Sequence, residues 1–228
     1  MKHSLAQKIL QDVVETYDAI APEFDATRQA AWAGFEDFLE YVKDGDRVLD
    51  AGCGNGRLLH VLKGKKIQYT GCDNSAELLS FARRAHLEGH FIAGDLLALP
   101  FRGSSFDLVF CIAALHHIPS RRLRSQALAE FRRVLRPGGQ VIITNWDRWT
   151  LEYFWPLLRA TLKKIFGRSS LDFKDTYIPW SNKTRRYYHC FTLGELKRLV
   201  RAAGFAIISA GRPKQRGRRN LVVIAKKV

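Results

Sequence analysis

Residues 47–56 read RVLDAGCGNG, and how this stretch folds decides the architecture of the chain. RVLDAG (47–52) is a short apolar run stopped by glycine, the pattern of a buried strand. NGRLLHVLK (55–63) then reads as the helix that follows it. Glycines at 52, 54 and 56 let a ligand lie against backbone N–H groups where a side chain would clash. Nicotinamide, flavin and S-adenosylmethionine sites all use such turns, so the loop alone does not choose between them.

Outward from this loop, strand and helix patterns alternate. IQYTGCD (67–73) is a second strand with SAELLSFARRA as its helix, HFIAGD (90–95) a third, and FDLVFCIAA (106–114) a fourth. A helix from about 120 to 135 ends at RPGG, and QVIITNW (140–146) is the fifth strand. This βαβ rhythm predicts an α/β fold, a parallel sheet with helices on both faces. Upstream, residues 4–43 read as two helices separated near Pro22, with Thr27 as N-cap of the second.

After residue 146 the rhythm breaks. An amphipathic helix over about 149–166 leads into FKDTYIPWSNKTRRYYHCF (173–191), which follows neither a strand nor a helix period and reads as irregular. Aromatics interleaved with arginines suit a surface that stacks bases and meets phosphates, and equally a loop whose rings tuck under the domain edge. TLGE (192–195) is a capping box with Thr192 at N-cap and Glu195 three residues on, opening the helix ELKRLVRAAG. FAIISAG (205–211) and NLVVIAKK (220–227) close the chain as an antiparallel pair joined by the basic loop RPKQRGRR.

The 228 residues fit one large domain, or one domain with an appendage. Residues 1–110 carry 12 Lys+Arg against 16 Asp+Glu, while 111–228 carry 25 against 6, so +19 of charge sits in the second half. That asymmetry points to a polyanion or an anionic membrane as partner. Cys53, Cys72, Cys111 and Cys190 form neither a CxxC pair nor a zinc-spaced cluster, so no metal is expected and a reducing, cytoplasmic compartment is. The start lacks the apolar region and cleavage site of a signal peptide, and no run approaches the roughly 20 apolar residues of a bilayer span.

Three acids sharpen the glycine loop. Asp73 ends the second strand about 20 residues on, where a carboxylate takes both ribose hydroxyls. Asp95 ends the third, where an acid accepts from an adenine amino group. The G-x-G-x-G spacing lacks the x-x-G that packs a dinucleotide helix, which favours S-adenosylmethionine over NAD. Asp50, Asp73 and Asp95 all fall at the carboxyl ends of strands, the edge where open α/β sheets bind ligands.

VLDAGCGNG, GCDNS, GDLLALPF, SFDLVF and LRPGG, in this order, resemble the motif set of the class I S-adenosylmethionine-dependent methyltransferases. The resemblance implies a Rossmann-like, seven-stranded, mostly parallel sheet in the order 3-2-1-4-5-7-6. It implies S-adenosylmethionine as cofactor and S-adenosylhomocysteine as product. By position, Asp50, Gly52 and Gly54 would hold the methionine end, Asp73 with Asn74 the ribose, and Asp95 with Leu96 the adenine; Tyr17, in the N-terminal motif, would close over the cofactor. The domain plan that follows is a helical cap (1–43), a cofactor core (46–146), a basic and aromatic substrate-side insertion (147–191) and a closing helix with two strands (192–228).

Other stretches are similar to one subfamily. VVETYDAIAPEFDATRQAAW (13–32), IAALHH (112–117), DTYIPW (175–180) and RRYYHCFTLGEL (185–196) resemble the tRNA methyltransferases that esterify 5-carboxymethyluridine at the wobble position. The implied partners are tRNA and a small zinc-binding activating subunit. A carboxylate is already ionised at neutral pH, so its methylation needs positioning and partial dehydration rather than a general base. Arg28, His116, Arg186, Tyr187 and His189 are the candidates for positioning the substrate, with Tyr187 and His189 expected at the pocket and Arg186 towards phosphate. Two further readings stand beside this one. A methyltransferase for a small molecule or quinone-like lipid could rest LEYFWPLLRATLKKIF (151–166) on a membrane. A non-catalytic RNA-binding scaffold is the other, against which the three intact acids argue.

Overall fold

The computed structural model describes residues 1–28, 34–149, 151–180, 184–215 and 218–228. The chain opens with α1 (His3–Ala26) and, after a 3-10 turn at Glu36–Tyr41, enters β1 (Arg47–Ala51), α2 (Leu59–Leu62), β2 (Gln68–Asp73), α3 (Ala76–Ala85) and β3 (His90–Ala93). Next come β4 (Phe106–Ile112), a 3-10 turn at Leu115–His117, α4 (Arg121–Val134), β5 (Leu135–Trp146) and α5 (Leu151–Ile165). The hairpin strands β6 (Asp175–Trp180) and β7 (Thr184–His189) precede α6 (Leu193–Ala202), β8 (Phe205–Gly211), β9 (Lys214–Gln215) and β10 (Arg218–Lys227).

The main sheet runs β3-β2-β1-β4-β5-β10-β8, with β9 paired to β10. Leaving out the two-residue β9 and the separate β6–β7 ribbon, this is the expected order 3-2-1-4-5-7-6. The first five strands are parallel, and β10 is antiparallel to both β5 and β8. Alternation across the pleat explains the apolar strand sequences. Leu49, Val109, Val141, Ile143 and Val223 pack with Leu123, Phe131, Leu196 and Val200 of α4 and α6. Their neighbours Val48, Leu108, Phe110, Ile142 and Val222 face the other way, onto Leu58, Leu62, Leu79 and Phe38. Both faces are covered, so successive residues are all buried and the strands read as continuous apolar runs.

Two local expectations are corrected. Pro22 does not divide two helices: α1 runs through it, and Thr27 closes the helix instead of opening one, its N–H and Oγ1 both donating to Glu23 O. Inside a helix proline removes one N–H and crowds the carbonyl four residues back, a cost that packing offsets here: Ile20 and Ala21, the residues before it, are buried. The second correction concerns 173–191. It is not irregular, because Asp175–Trp180 and Thr184–His189 pair antiparallel, with Tyr177 opposite Tyr187 and Ile178 opposite Arg186. No apolar alternation announces this ribbon, since one face carries Arg186 beside Tyr188 and the other mixes buried Tyr187 and His189 with exposed Tyr177, Pro179 and Arg185.

Candidate active site

One cavity lies at the carboxyl ends of β1, β2 and β4, roofed by α1 and by the β6–β7 ribbon. Its cofactor half is built from the glycine loop. Gly52 takes φ +82°, and a Cβ there would sit 2.5 Å from Ala114 Cβ, so only glycine lets the loop pass this close. Asp73 accepts from Gly54 N–H (2.8 Å) through one oxygen and from Ser75 N–H (2.9 Å) through the other. It thus clamps the loop to the end of β2 while still lining the cavity. Asp95 accepts from Leu97 N–H (2.9 Å), which turns the chain so that Leu96 faces the cavity.

Asp50 is 2% exposed and accepts from Tyr69 O–H at 2.9 Å. Burial pushes its pKa up to about 7, the Tyr69 bond opposes the shift, and the nearby Asp73 charge adds to it. The sign has two consequences. In the free protein Asp50 stays protonated when the unfolded chain is ionised, so this group's contribution to stability is lost as pH rises from its ordinary value of 3.8 to about 7. A bound ammonium favours the carboxylate, so affinity for S-adenosylhomocysteine should rise between pH 5.5 and 7, at most about tenfold per pH unit for one proton. Calorimetry on the wild type and on Asp50→Asn, in which the slope should vanish, checks this. A pH-independent wild type would remove Asp50 from the methionine end.

The substrate half carries aromatic rings and cations. Alternation along β7 puts Arg186 and Tyr188 into the cavity and their neighbours on the reverse face. Tyr187 is 1% exposed, packed edge-on against Tyr177. His189 sits between Asp175 (Nδ1 to Oδ1, 2.8 Å) and Glu195 (Nε2 to Oε1, 2.9 Å). The expected register is therefore reversed. His189 ties the ribbon to α6 and Tyr187 packs on Tyr177; neither lines the cavity, whereas Arg186, expected towards phosphate, does. Glu195 also leaves its capping-box role: Thr192 caps α6, but the Glu195 carboxylate turns to His189 and Lys174.

The remaining candidates meet in the cavity wall: Tyr17, Arg28, Asp50, Gly52, Gly54, Asp73, Asn74, Asp95, Leu96 and His116. Arg28 lies 4.3 Å from the Trp180 ring centre and 4.7 Å from that of Phe24, a guanidinium closing the gap between α1 and the ribbon. Tyr17 O–H donates to His117 Nε2 (2.7 Å), because His117 Nδ1–H is spent on Tyr187 O (2.8 Å). Burial drives the His117 pKa down to about 3 and that of His116 well below its ordinary value. Sequence reasoning missed Arg57, Trp146 and Tyr188 in the wall, and Trp180, whose ring packs behind it against Phe24, Arg28 and Arg186. Arg57 had a signal, since it directly follows the glycine loop; the others come together only when the ribbon folds over.

A family described as "Methyltransferase domain" matches residues 49–143. A methyltransferase of Encephalitozoon cuniculi is 36% identical over 86% of this chain and 87% of its own length. The chain belongs to the class I S-adenosylmethionine-dependent methyltransferases. A Schizosaccharomyces pombe protein named tRNA (carboxymethyluridine(34)-5-O)-methyltransferase is 29% identical, covering 87% of this chain and 90% of that one. Longer mouse and Arabidopsis relatives of the same name match 59% of this chain, which spans only 20% and 32% of theirs. Among solved structures, a Haloferax volcanii methyltransferase in complex with the Trm112 methyltransferase activator shares the fold, with a TM-score of 0.68 at 21% identity over 94% of this chain and 96% of that one. For this methyltransferase the cradle fits its cofactor: two glycines open the loop, and three carboxylates line the cavity above it. No described helix is long and apolar enough to cross a membrane.

Proposed function

We propose that this methyltransferase esterifies the carboxymethyl group of a modified wobble uridine in tRNA. Arg186 carries the reading. It is 5% exposed, lines the cavity and lies 4.4 Å from the Trp180 ring centre. Its Nε has no hydrogen-bond partner, and no carboxylate pairs with it among the described residues. A buried guanidinium without a counter-ion is costly, and an anionic acceptor would supply one.

Bound S-adenosylmethionine brings an electrophilic sulfonium methyl. The protein's share is to orient and dehydrate the acceptor. Arg186 would hold one carboxylate oxygen and leave the other free to attack, while the Trp146 and Tyr188 rings exclude water. The two cavity histidines, held neutral with strongly lowered pKa, are too weak as bases to deprotonate a hydroxyl or amine acceptor at neutral pH. An acceptor that arrives ionised fits. The charge of residues 111–228 supplies attraction for RNA phosphates. The names of the relatives from fission yeast, mouse and Arabidopsis support the same substrate. The small activating subunit and the cytoplasmic location expected from the sequence belong to this proposal too.

The test is direct. The purified protein, with and without an activator of the Trm112 type, is given S-adenosylmethionine and an anticodon stem-loop carrying 5-carboxymethyluridine. Nucleoside mass spectrometry should show the methyl ester, and none on the unmodified stem-loop. Failure with both, from protein that binds S-adenosylhomocysteine, would refute the proposal.

A further inference from the structure

Beside the Arg186 Nε, the cavity wall holds a buried, uncharged nitrogen that has no hydrogen-bond partner, His116 Nε2. His116 follows β4 on the Leu115–His117 turn, is 2% exposed and lines the cavity. Its Nδ1 lies 3.0 Å from Asn145 Oδ1, an oxygen that only accepts, so Nδ1 carries the proton. Nε2 is left with its lone pair and has no hydrogen-bond partner. The ring is held in place. It stacks on Tyr188 at 4.7 Å and 14°, and it lies against His117, itself fixed by Tyr17 and the Tyr187 carbonyl. Burial keeps the imidazole neutral, so the lone pair persists at physiological pH. A buried acceptor left unpaired is destabilising, and such groups in a binding cavity are satisfied by ligand.

What donor belongs there follows from the ring that brings the carboxylate. Arg186 and His116 flank one aromatic: the Arg186 guanidinium is 5.3 Å from the Tyr188 centre and the His116 ring 4.7 Å. A pyrimidine bearing its acid at position 5 and lying in this cavity offers two groups on one edge, the acid and, across the adjacent carbonyl, the position-3 nitrogen. In uracil that nitrogen is an N–H donor. In cytosine it is a lone pair, which would face the Nε2 lone pair.

We infer that His116 Nε2 accepts a hydrogen bond from the imino N–H of the target uracil, and thereby makes this methyltransferase select a uridine over a cytidine with the same side chain. The inference rests on the proposed carboxymethyl acceptor and adds its base identity. Discrimination of this kind is steep, because the wrong base leaves a buried polar group unpaired.

Two stem-loops that differ only in 5-carboxymethyluridine against 5-carboxymethylcytidine test it. The wild type should prefer the uridine by at least about a hundredfold in kcat/KM. His116→Phe keeps a ring on Tyr188 but has no acceptor; it should lose roughly tenfold to a hundredfold on the uridine, treat the two substrates within a few-fold, and bind S-adenosylhomocysteine as the wild type does. Equal wild-type rates on both substrates, or an undiminished preference in His116→Phe, overturns the inference. A second measurement stands apart from turnover and from the folding of the variant. The imidazole 15N shifts of His116 in the free wild-type protein should report Nε2 as the unprotonated nitrogen, and a proton on Nε2 overturns the inference as surely. Wild type inactive on both stem-loops while its Nε2 is unprotonated would count against the carboxymethyl reading, and against His116 as a reader of that base.

Discussion

Arg186→Met should lower kcat/KM for the carboxymethyl stem-loop by about thirtyfold or more while leaving S-adenosylhomocysteine affinity within about twofold. Removing one member of a buried, hydrogen-bonded charge pair costs about 2–5 kcal/mol, and the lower figure already corresponds to a factor of about thirty. The cofactor would be spared because its half of the cavity is built on β1, β2 and the loop after β3, away from the ribbon that bears Arg186. Thermal stability separates this role from a structural one. In the free protein Arg186 is buried beside Trp180 with no carboxylate paired to it among the described residues, so the methionine variant should melt at the wild-type temperature or above it. Arg186→Lys should not restore the rate, since an ammonium neither stacks on Trp180 nor presents a planar fork to a carboxylate. Wild-type turnover by Arg186→Met would show that the acceptor is not held as an anion here. A melting temperature that falls in step with the activity would make the residue a packing element.

Asp73→Ala should weaken S-adenosylhomocysteine binding by tenfold to a hundredfold in calorimetry, with the sheet intact by circular dichroism. Each charge-assisted hydrogen bond to the ribose is worth about 1.5–3 kcal/mol, and one such loss gives roughly tenfold. The structure raises that expectation, because the same carboxylate also receives Gly54 and Ser75 N–H and so holds the glycine loop to β2. Asp73→Asn, which retains an acceptor for one of these N–H groups, should fall between the alanine variant and the wild type. Burial raises the Asp73 pKa while the backbone N–H groups oppose the rise, so pH 7.5 is the condition at which to compare the three. Unchanged affinity in Asp73→Ala would mean that the cofactor does not use the end of β2.

RVLDAGCGNG, GCDNS and AGDLLALPF made the α/β fold legible, and with it the strand ends and glycine turn that line the cavity. The reason is locality. Each acid sits at the end of its own strand, each glycine in the turn that follows, and short βαβ connections bring these ends to one edge of the sheet. Strand order came with the methyltransferase resemblance, while the antiparallel closing pair was legible as two apolar runs around a basic loop.

The path of α1 through Pro22 and the register of the ribbon were decided only by tertiary structure. Propensity placed a break at Pro22, but the cost of a proline inside a helix, about 3 kcal/mol, is offset by the packing that buries Ile20 and Ala21. RRYYH alternates, and its sequence does not say which set faces inward, since both sets mix aromatics with cations. His189 decides it through partners 14 residues before and six after, Asp175 on the facing strand and Glu195 on α6. Those two hydrogen bonds fix the His189 face, which Tyr187 shares, to the scaffold and leave Arg186 and Tyr188 to the cavity. A one-residue choice of face flips every side chain of a strand, and here it rests on contacts between elements that local sequence does not encode.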